Sequence, residues 1–155
     1  FQSKRSPAAP DSEAAQNTPP RSNFPPAGSN AFSIAPALDF IEISYMNKFP
    51  IEQLAELCHL SQTHFRRVFQ SVMHTTPLTY LNSIRIMNAC NLLRNTNHTI
   101  LAIAEMTGFS TLSNFNRHFS RMVGISPRDY RKQMLQDRVS DARTSIMEYP
   151  GWMEP

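Results

Sequence analysis

The sequence predicts an all-α protein built from two helix-turn-helix units, and three observations lead there. The first is a repeat. From Ile51 the chain runs Leu54-Ala55, Leu57, Leu60-Ser61, Phe65, Arg67, Phe69, Thr76-Pro77 and Tyr80; from Ile100 it runs Ile103-Ala104, Met106, Phe109-Ser110, Phe115, Arg117, Phe119, Ser126-Pro127 and Tyr130. The offset is 49 residues up to Ser61/Ser110 and 50 from Phe65/Phe115 onward, so the second copy carries one inserted residue. Two copies are too few for a solenoid and point to a pair of small supersecondary units. The second observation is helical apolar spacing inside each copy, and the third is turn and capping chemistry between its two helices.

The elements follow in chain order. Residues 1–33 read as a disordered linker, because Pro7, Pro10, Pro19, Pro20, Pro25 and Pro26 are spaced by Ser, Ala, Asn and Gln. Apart from Phe1 and Phe24 almost nothing there can bury apolar surface. No apolar run follows Lys4-Arg5, so a signal peptide is not expected. The chain starts at Phe1 rather than Met and reads as a piece of a longer protein. Order is expected from about Ile34, where Ala37, Leu38, Ile41, Ile43 and Tyr45 suggest a first amphipathic helix.

In the first unit Ile51, Leu54, Ala55 and Leu57 form the apolar face of a short helix, with Ala55 and its repeat Ala104 small where the next helix crosses. Gly108 supplies the positive φ of a tight turn in the second unit, whereas the first has His59 there, a poorer left-handed residue. Ser61, and Ser110 or Thr111, stand where an N-cap belongs. Pro77 sets the start of a connecting helix on which Leu81, Ile84, Met87 and Leu93 keep roughly helical spacing to Arg94. That rod is about 27 Å long at 1.5 Å per residue, against about 34 Å for one turn of B-DNA. Past Arg138 the pattern fades, and the tail with Tyr149, Pro150, Gly151 and Trp152 is expected to be mobile.

The second helix of each unit carries the chemistry. Phe65, Val68, Phe69 and Val72 face inward at i, i+3, i+4 and i+7, leaving Thr63, Arg66, Arg67 and Gln70 outside. In the repeat Phe115, Phe119 and Met122 face inward, and Ser113, Asn116, Arg117 and Ser120 outward. Both outward faces combine neutral hydrogen-bonding groups with arginine and carry no carboxylate. Such faces suit base edges in a major groove and phosphates beside it.

Charge is concentrated in the same region. From Leu57 to Lys132 nine Lys/Arg stand against Glu105 and Asp129, while the whole chain has a net charge of only +3. Acids gather instead on the flanks, among them Asp39 and Glu42 before and Asp137, Asp141, Glu148 and Glu154 after. That distribution gives salt-dependent attraction to phosphate.

Other chemistries find no footing. Cys58 and Cys90 fall on apolar helix faces and read as buried free thiols in a reducing cytoplasm. His59, His64, His74, His98 and His118 show no closed zinc spacing with them, and His118, the repeat of Val68, is expected to pack. Asn97-His98-Thr99 matches a glycosylation acceptor that a cytoplasmic protein would not use. With no nucleophile–base pair, phosphate-cradling glycine loop or twenty-residue apolar run, neither an enzyme, a cofactor, a metal site nor a membrane span is expected. The phenylalanines sit at core spacing, so no stacking platform for single-stranded RNA is available.

The chain resembles the C-terminal DNA-binding domain of AraC/XylS-family bacterial transcription regulators. The resemblance rests on Leu57 through Phe69, Pro77, Tyr80-Leu81, Arg85, Ala89 and Leu92-Leu93, and more specifically on Ile103-Ala104, Gly108-Phe109, Ser113, Phe115, Arg117, Phe119, Gly124, Ser126-Pro127 and Tyr130-Arg131. It spans about residues 34 to 133. Departures are His59 for the turn glycine, Thr75 where the second copy has Gly124, and Phe65 for an aliphatic residue. The resemblance implies two three-helix subdomains joined by a long central linker helix, about seven helices in all, with both recognition helices entering successive major-groove segments. The domain would be residues 34–134, comprising a first unit 34–76, a linker helix 77–95 and a second unit 98–134, followed by a tail 135–155.

Expected base contacts are Thr63, Arg66, Arg67, Leu112, Ser113, Asn116 and Arg117; expected phosphate contacts are Ser61, Gln62, Thr111, Arg121, Arg128 and Arg131. Arg85 stays open between a DNA contact and a brace joining the two halves. The implied partners are double-stranded promoter DNA, RNA polymerase for an activator, and an upstream sensing or dimerisation domain. The competing class is a helical protein-interaction module that has lost DNA binding.

Overall fold

Capping chemistry sets where the helices begin and end. The structure, a computed structural model, describes residues 31–147 and the side-chain surroundings of 33–145. Within them lie α1 (Ala31–Ser44), α2 (Ile51–Leu57), α3 (Gln62–Met73), α4 (Pro77–Asn95), α5 (Ile100–Met106), α6 (Leu112–Val123) and α7 (Pro127–Met147). Thr76, Thr99 and Thr111 each accept the backbone N–H three residues on, as does Ser61 for α3. Ser126 does the same for Asp129 N and its hydroxyl donates to the Asp129 carboxylate at 2.8 Å, capping α7 ahead of Pro127. Residues 1–30 of the expected linker and the Trp152 end of the tail lie outside the described residues, while 31–33 of that linker are helical. Helix α1 starts three residues before Ile34, and α7 continues to Met147, well beyond Arg138.

The caps correct the register of the repeat. Ser61 corresponds to Thr111, not Ser110, so the inserted residue is Ser110, in the turn just before α6. Similarly His74, not Thr75, matches Gly124: these residues cap α3 and α6 with φ of 56° and 90°. His59 takes φ 55° where Gly108 takes 93°, so the first unit makes both left-handed turns with histidine.

Two apolar clusters form, one per unit. The first gathers Ile34, Ala37, Ile41, Leu54, Ala55, Phe65, Val68, Phe69 and Leu81; the second gathers Ile86, Ala89, Leu93, Ile103, Ala104, Phe109, Phe115 and Phe119. Their aromatic geometry is duplicated. Phe65–Phe69 and Phe115–Phe119 have centroids 5.6 and 5.7 Å apart, and Tyr80 and Tyr130 meet Phe69 and Phe119 edge-on at 5.7 and 5.6 Å. Helix α4 belongs to both units: Pro77 and Leu81 finish the first core, while Ile86, Ala89 and Leu93 begin the second. Those last three repeat Ile34, Ala37 and Ile41 of α1, so each unit is a helix followed by a helix-turn-helix.

Several expected core positions are instead exposed. Ile43 lies about 180° around α1 from Ile34 and faces solvent. Leu57 and Met106 end their helices about 100° off the apolar face, and Cys58 and Thr107 turn inward in their place. The buried Thr107 hydroxyl is satisfied by donating to Ile103 O at 2.7 Å. On α4 Ile86 is buried and Met87 is not. On α6 the core follows the row Phe115, Phe119, Val123, so Met122 sits over a groove beside Thr79 and Asn82. Cys58 is buried as expected, Cys90 only half-buried, and both are free thiols.

Candidate nucleic-acid interface

Helices α3 and α6 turn their phenylalanine rows fully inward, and this fixes what their other faces present. Thr63, Arg66, Arg67 and Gln70 are all exposed on α3, as are Leu112, Ser113, Asn116, Arg117 and Ser120 on α6. Neither helix has an acidic residue in its first turn. The free backbone N–H groups at each start, together with the helix dipole, therefore form a positive end suited to phosphate. Ser61 Oγ accepts from His64 N at 3.3 Å and Thr111 Oγ1 from Asn114 N at 3.1 Å. Each hydroxyl keeps its own hydrogen to donate outward.

The arginines differ in how they are held. Arg117 donates to Asn114 Oδ1 at 2.6 Å, which steadies its guanidinium while leaving other donors free. Arg67 has no side-chain partner among the described residues. Arg66 comes within 3.9 Å of Glu52 on α2, a carboxylate that inspection of α3 alone does not reveal. Both side chains are largely exposed, so this pair contributes about 0–1 kcal/mol and leaves Arg66 able to turn to DNA. Arg121 and Arg128 are exposed, as is Gln62 at the start of α3.

Arg131 is placed otherwise than the sequence suggested. Its guanidinium donates to His98 O at 2.6 Å, in the loop between α4 and α5, and reaches Leu93 O at 3.4 Å, in the last turn of α4. Nε and Nη2 are thus engaged within the protein, which orients the guanidinium and leaves Nη1 free. Arg85 is buried and donates Nε to Tyr45 O at 2.7 Å and Nη2 to Asn47 O at 3.0 Å, which settles it as a brace. Burial pulls its pKa below the ordinary arginine value.

His118 packs as expected, 5.8 Å from the Phe109 ring. Burial, then the charges of Arg117 and Arg121, hold its pKa below the ordinary imidazole value. The unfolded chain therefore takes up this proton first, so His118 removes stability as pH falls through about 6.5. If phosphate neutralises Arg121 and a base edge engages Arg117, repulsion is relieved and the His118 pKa should rise on DNA binding. Imidazole proton chemical shifts followed against pH, free and bound, check this; an unchanged midpoint would place both arginines away from the duplex.

The seven described helices, in two helix-turn-helix units each displaying one exposed arginine-bearing helix face, have the architecture of a double helix-turn-helix DNA-binding domain. A helix-turn-helix domain family matches residues 54–133, just over half of the 155. The chain belongs to the AraC/XylS family of bacterial regulators. It is 36% identical over 107 residues to the melibiose operon regulatory protein of Escherichia coli strain K12, covering 69% of this chain and 35% of that one. It is 39% identical over 83 residues to the regulator AlkR of Acinetobacter baylyi, covering 54% and 27%. The chain thus spans about a third of the length of these curated relatives. Among solved structures it resembles the DNA-binding domain of AdpA in complex with a target DNA, with TM-score 0.66, 27% identity and coverage of 68% and 96%. An AraC-type regulator from Chromobacterium violaceum gives TM-score 0.62 at 25% identity, covering 67% and 93%. No described helix is long and apolar enough to cross a membrane.

Proposed function

We propose that α3 and α6 enter successive major-groove segments of double-stranded promoter DNA and read its sequence there. The observation that carries this reading is the duplicated face: two helices, each behind a capped N-terminus, both presenting arginine, amide and hydroxyl groups and no carboxylate of their own. Thr63, Arg66 and Arg67 on α3, and Leu112, Ser113, Asn116 and Arg117 on α6, are the base-reading set. Arginine pairs most naturally with guanine O6 and N7, and Leu112 offers an apolar contact to a thymine methyl. Ser61, Gln62, Thr111, Arg121 and Arg128 anchor phosphates, with the backbone N–H groups of the two helix starts. The family resemblance supports a cytoplasmic activator that works with RNA polymerase under an upstream sensing or dimerisation domain.

The test is selection of sites from a random duplex pool, followed by titration at several salt concentrations. Affinity should fall steeply and linearly on a log–log scale with salt. Arg117→Ala should cost about 1–3 kcal/mol on the selected site and relax preference at one base pair, whereas Arg121→Ala should weaken all sequences alike and reduce the salt slope by about 1. Weak, salt-insensitive retention on every duplex would instead support a protein-interaction module.

A further inference from the structure

The two apolar clusters do not merge: the first ends on α4 at Leu81 and the second begins at Ile86. Between them, on the same helix, stands Arg85, and its side chain bridges the units. Its nitrogens hold the carbonyls of Tyr45 and Asn47 in the α1–α2 loop of the first unit. Its guanidinium carbon lies 5.8 Å from the centroid of the Phe109 ring, in the turn that leads into α6. The neighbouring Gly108 leaves the space for this approach: a Cβ there would stand 2.7 Å from Tyr45 O and 2.9 Å from Arg85 Nε. Beside this junction the surface is grooved. One groove of about 310 Å³ runs between Tyr45, Met46, Leu92 and Met106, and another of about 250 Å³ between Thr79, Asn82, His118 and Arg121. The units therefore meet across a narrow polar joint beside α4.

We propose that Arg85 is a positioning residue that sets the separation and rotation of α3 relative to α6, so that the domain accepts half-sites at one spacing only. This rests on the reading that both helices enter the major groove. Loop α1–α2 leads into α2 and hence α3, and the Gly108-Phe109 turn leads into α6; one guanidinium clamps both. A fork of planar donors holds two carbonyls from two separate nitrogens while stacking on a ring face, a geometry that the single nitrogen of an ammonium reproduces poorly. Without that clamp only α4 and the packing of the Gly108 turn on the Tyr45–Met46 backbone connect the units, and the second helix-turn-helix behaves more like a tethered module, with an effective concentration in place of a fixed register.

The experiment uses the full chain and a duplex chosen by the wild type from a random pool, then remade with one, two or three base pairs added or removed between the two contacted segments. Each added pair rotates one segment by about a tenth of a turn. The wild type should lose about tenfold or more per base pair, whereas Arg85→Met, which keeps an apolar stem, should lose about threefold or less as tethering replaces register. Arg85→Lys, with one donor centre for two carbonyls, should fall between them and guards against loss of folding in the methionine variant. Binding to a duplex with only one segment should be unchanged in all three. If both variants weaken binding equally at every spacing and keep the steep wild-type profile, Arg85 is merely structural and the proposal is overturned. If the wild type selects no duplex at all, the DNA reading itself fails, which is a separate outcome.

Discussion

Phe119→Ala should destabilise the second unit by about 3–5 kcal/mol, as expected for truncating a buried aromatic. Its ring is fully buried, packs 5.7 Å from Phe115 and receives the edge of Tyr130 at 5.6 Å. Because the two clusters are separate, the damage should be uneven. Amide hydrogen exchange should accelerate across α5, α6 and the start of α7 well before α1–α3, and urea unfolding should lose its single transition. Phe69→Ala should produce the mirror image, loosening α1–α3 first. A uniform, shallow drop in midpoint for either variant would mean that the cores act as one.

Gly108→Ala should be nearly as damaging by a different route. The residue has φ +93°, which costs a side chain about 1–3 kcal/mol of backbone strain. The added methyl would also meet Tyr45 O at 2.7 Å and Met46 O at 3.0 Å, backbone atoms that cannot swing aside. Forced contacts of that kind cost about 1–3 kcal/mol more. Gly124 supplies the control: its φ is +90°, yet nothing lies within 4 Å of an added Cβ, so Gly124→Ala should show the strain alone. Thermal melts of the two variants separate the contributions, and amide shifts at Tyr45–Asn47 should move only for Gly108→Ala. Equal losses for both glycines would mean that the loop yields.

How much of this was legible in the chain depended on whether one helix sufficed to decide it. The faces of α3 and α6 were, because Phe65/Phe69 and Phe115/Phe119 fix their rotation and every outward residue then follows at 100° per step. So was the left-handed strain at His59, which the repeat exposes by setting it against Gly108. The register around Ser110 was not, because Ser and Thr cap equally well and only geometry shows that Thr111 does so. Met122 and Ile43 differ for a simpler reason: apolar character alone does not mark an inward position where the α6 core follows its i+4 row and where Ile43 lies opposite Ile34 on α1. The kinship of Ile34, Ala37 and Ile41 with Ile86, Ala89 and Leu93 stood in the sequence throughout. Loops of different length, 45–50 against 96–99, shift it out of step with the rest of the repeat. The partners of Arg85, Arg131 and Glu52 required tertiary structure, since each reaches another helix or loop.

Because α4 is shared, the two helical rods α4 and α7 can be compared half by half. Helix α4 ends one module with its first half and seeds the next with its second, so the design could be extended indefinitely, like beads threaded end to end. Helix α7 begins just as α4 does, with a capped Ser-Pro start and Tyr130 seated on Phe119. Its distal half then lacks the seed: where α4 has Ile86, Ala89 and Leu93, α7 has Gln136, Val139 and Arg143, all facing water. Arg138 instead folds back to Asn95 Oδ1 at 2.9 Å, tying the terminal rod to the one before it. With nothing greasy on that face, α7 closes the second core without opening a third.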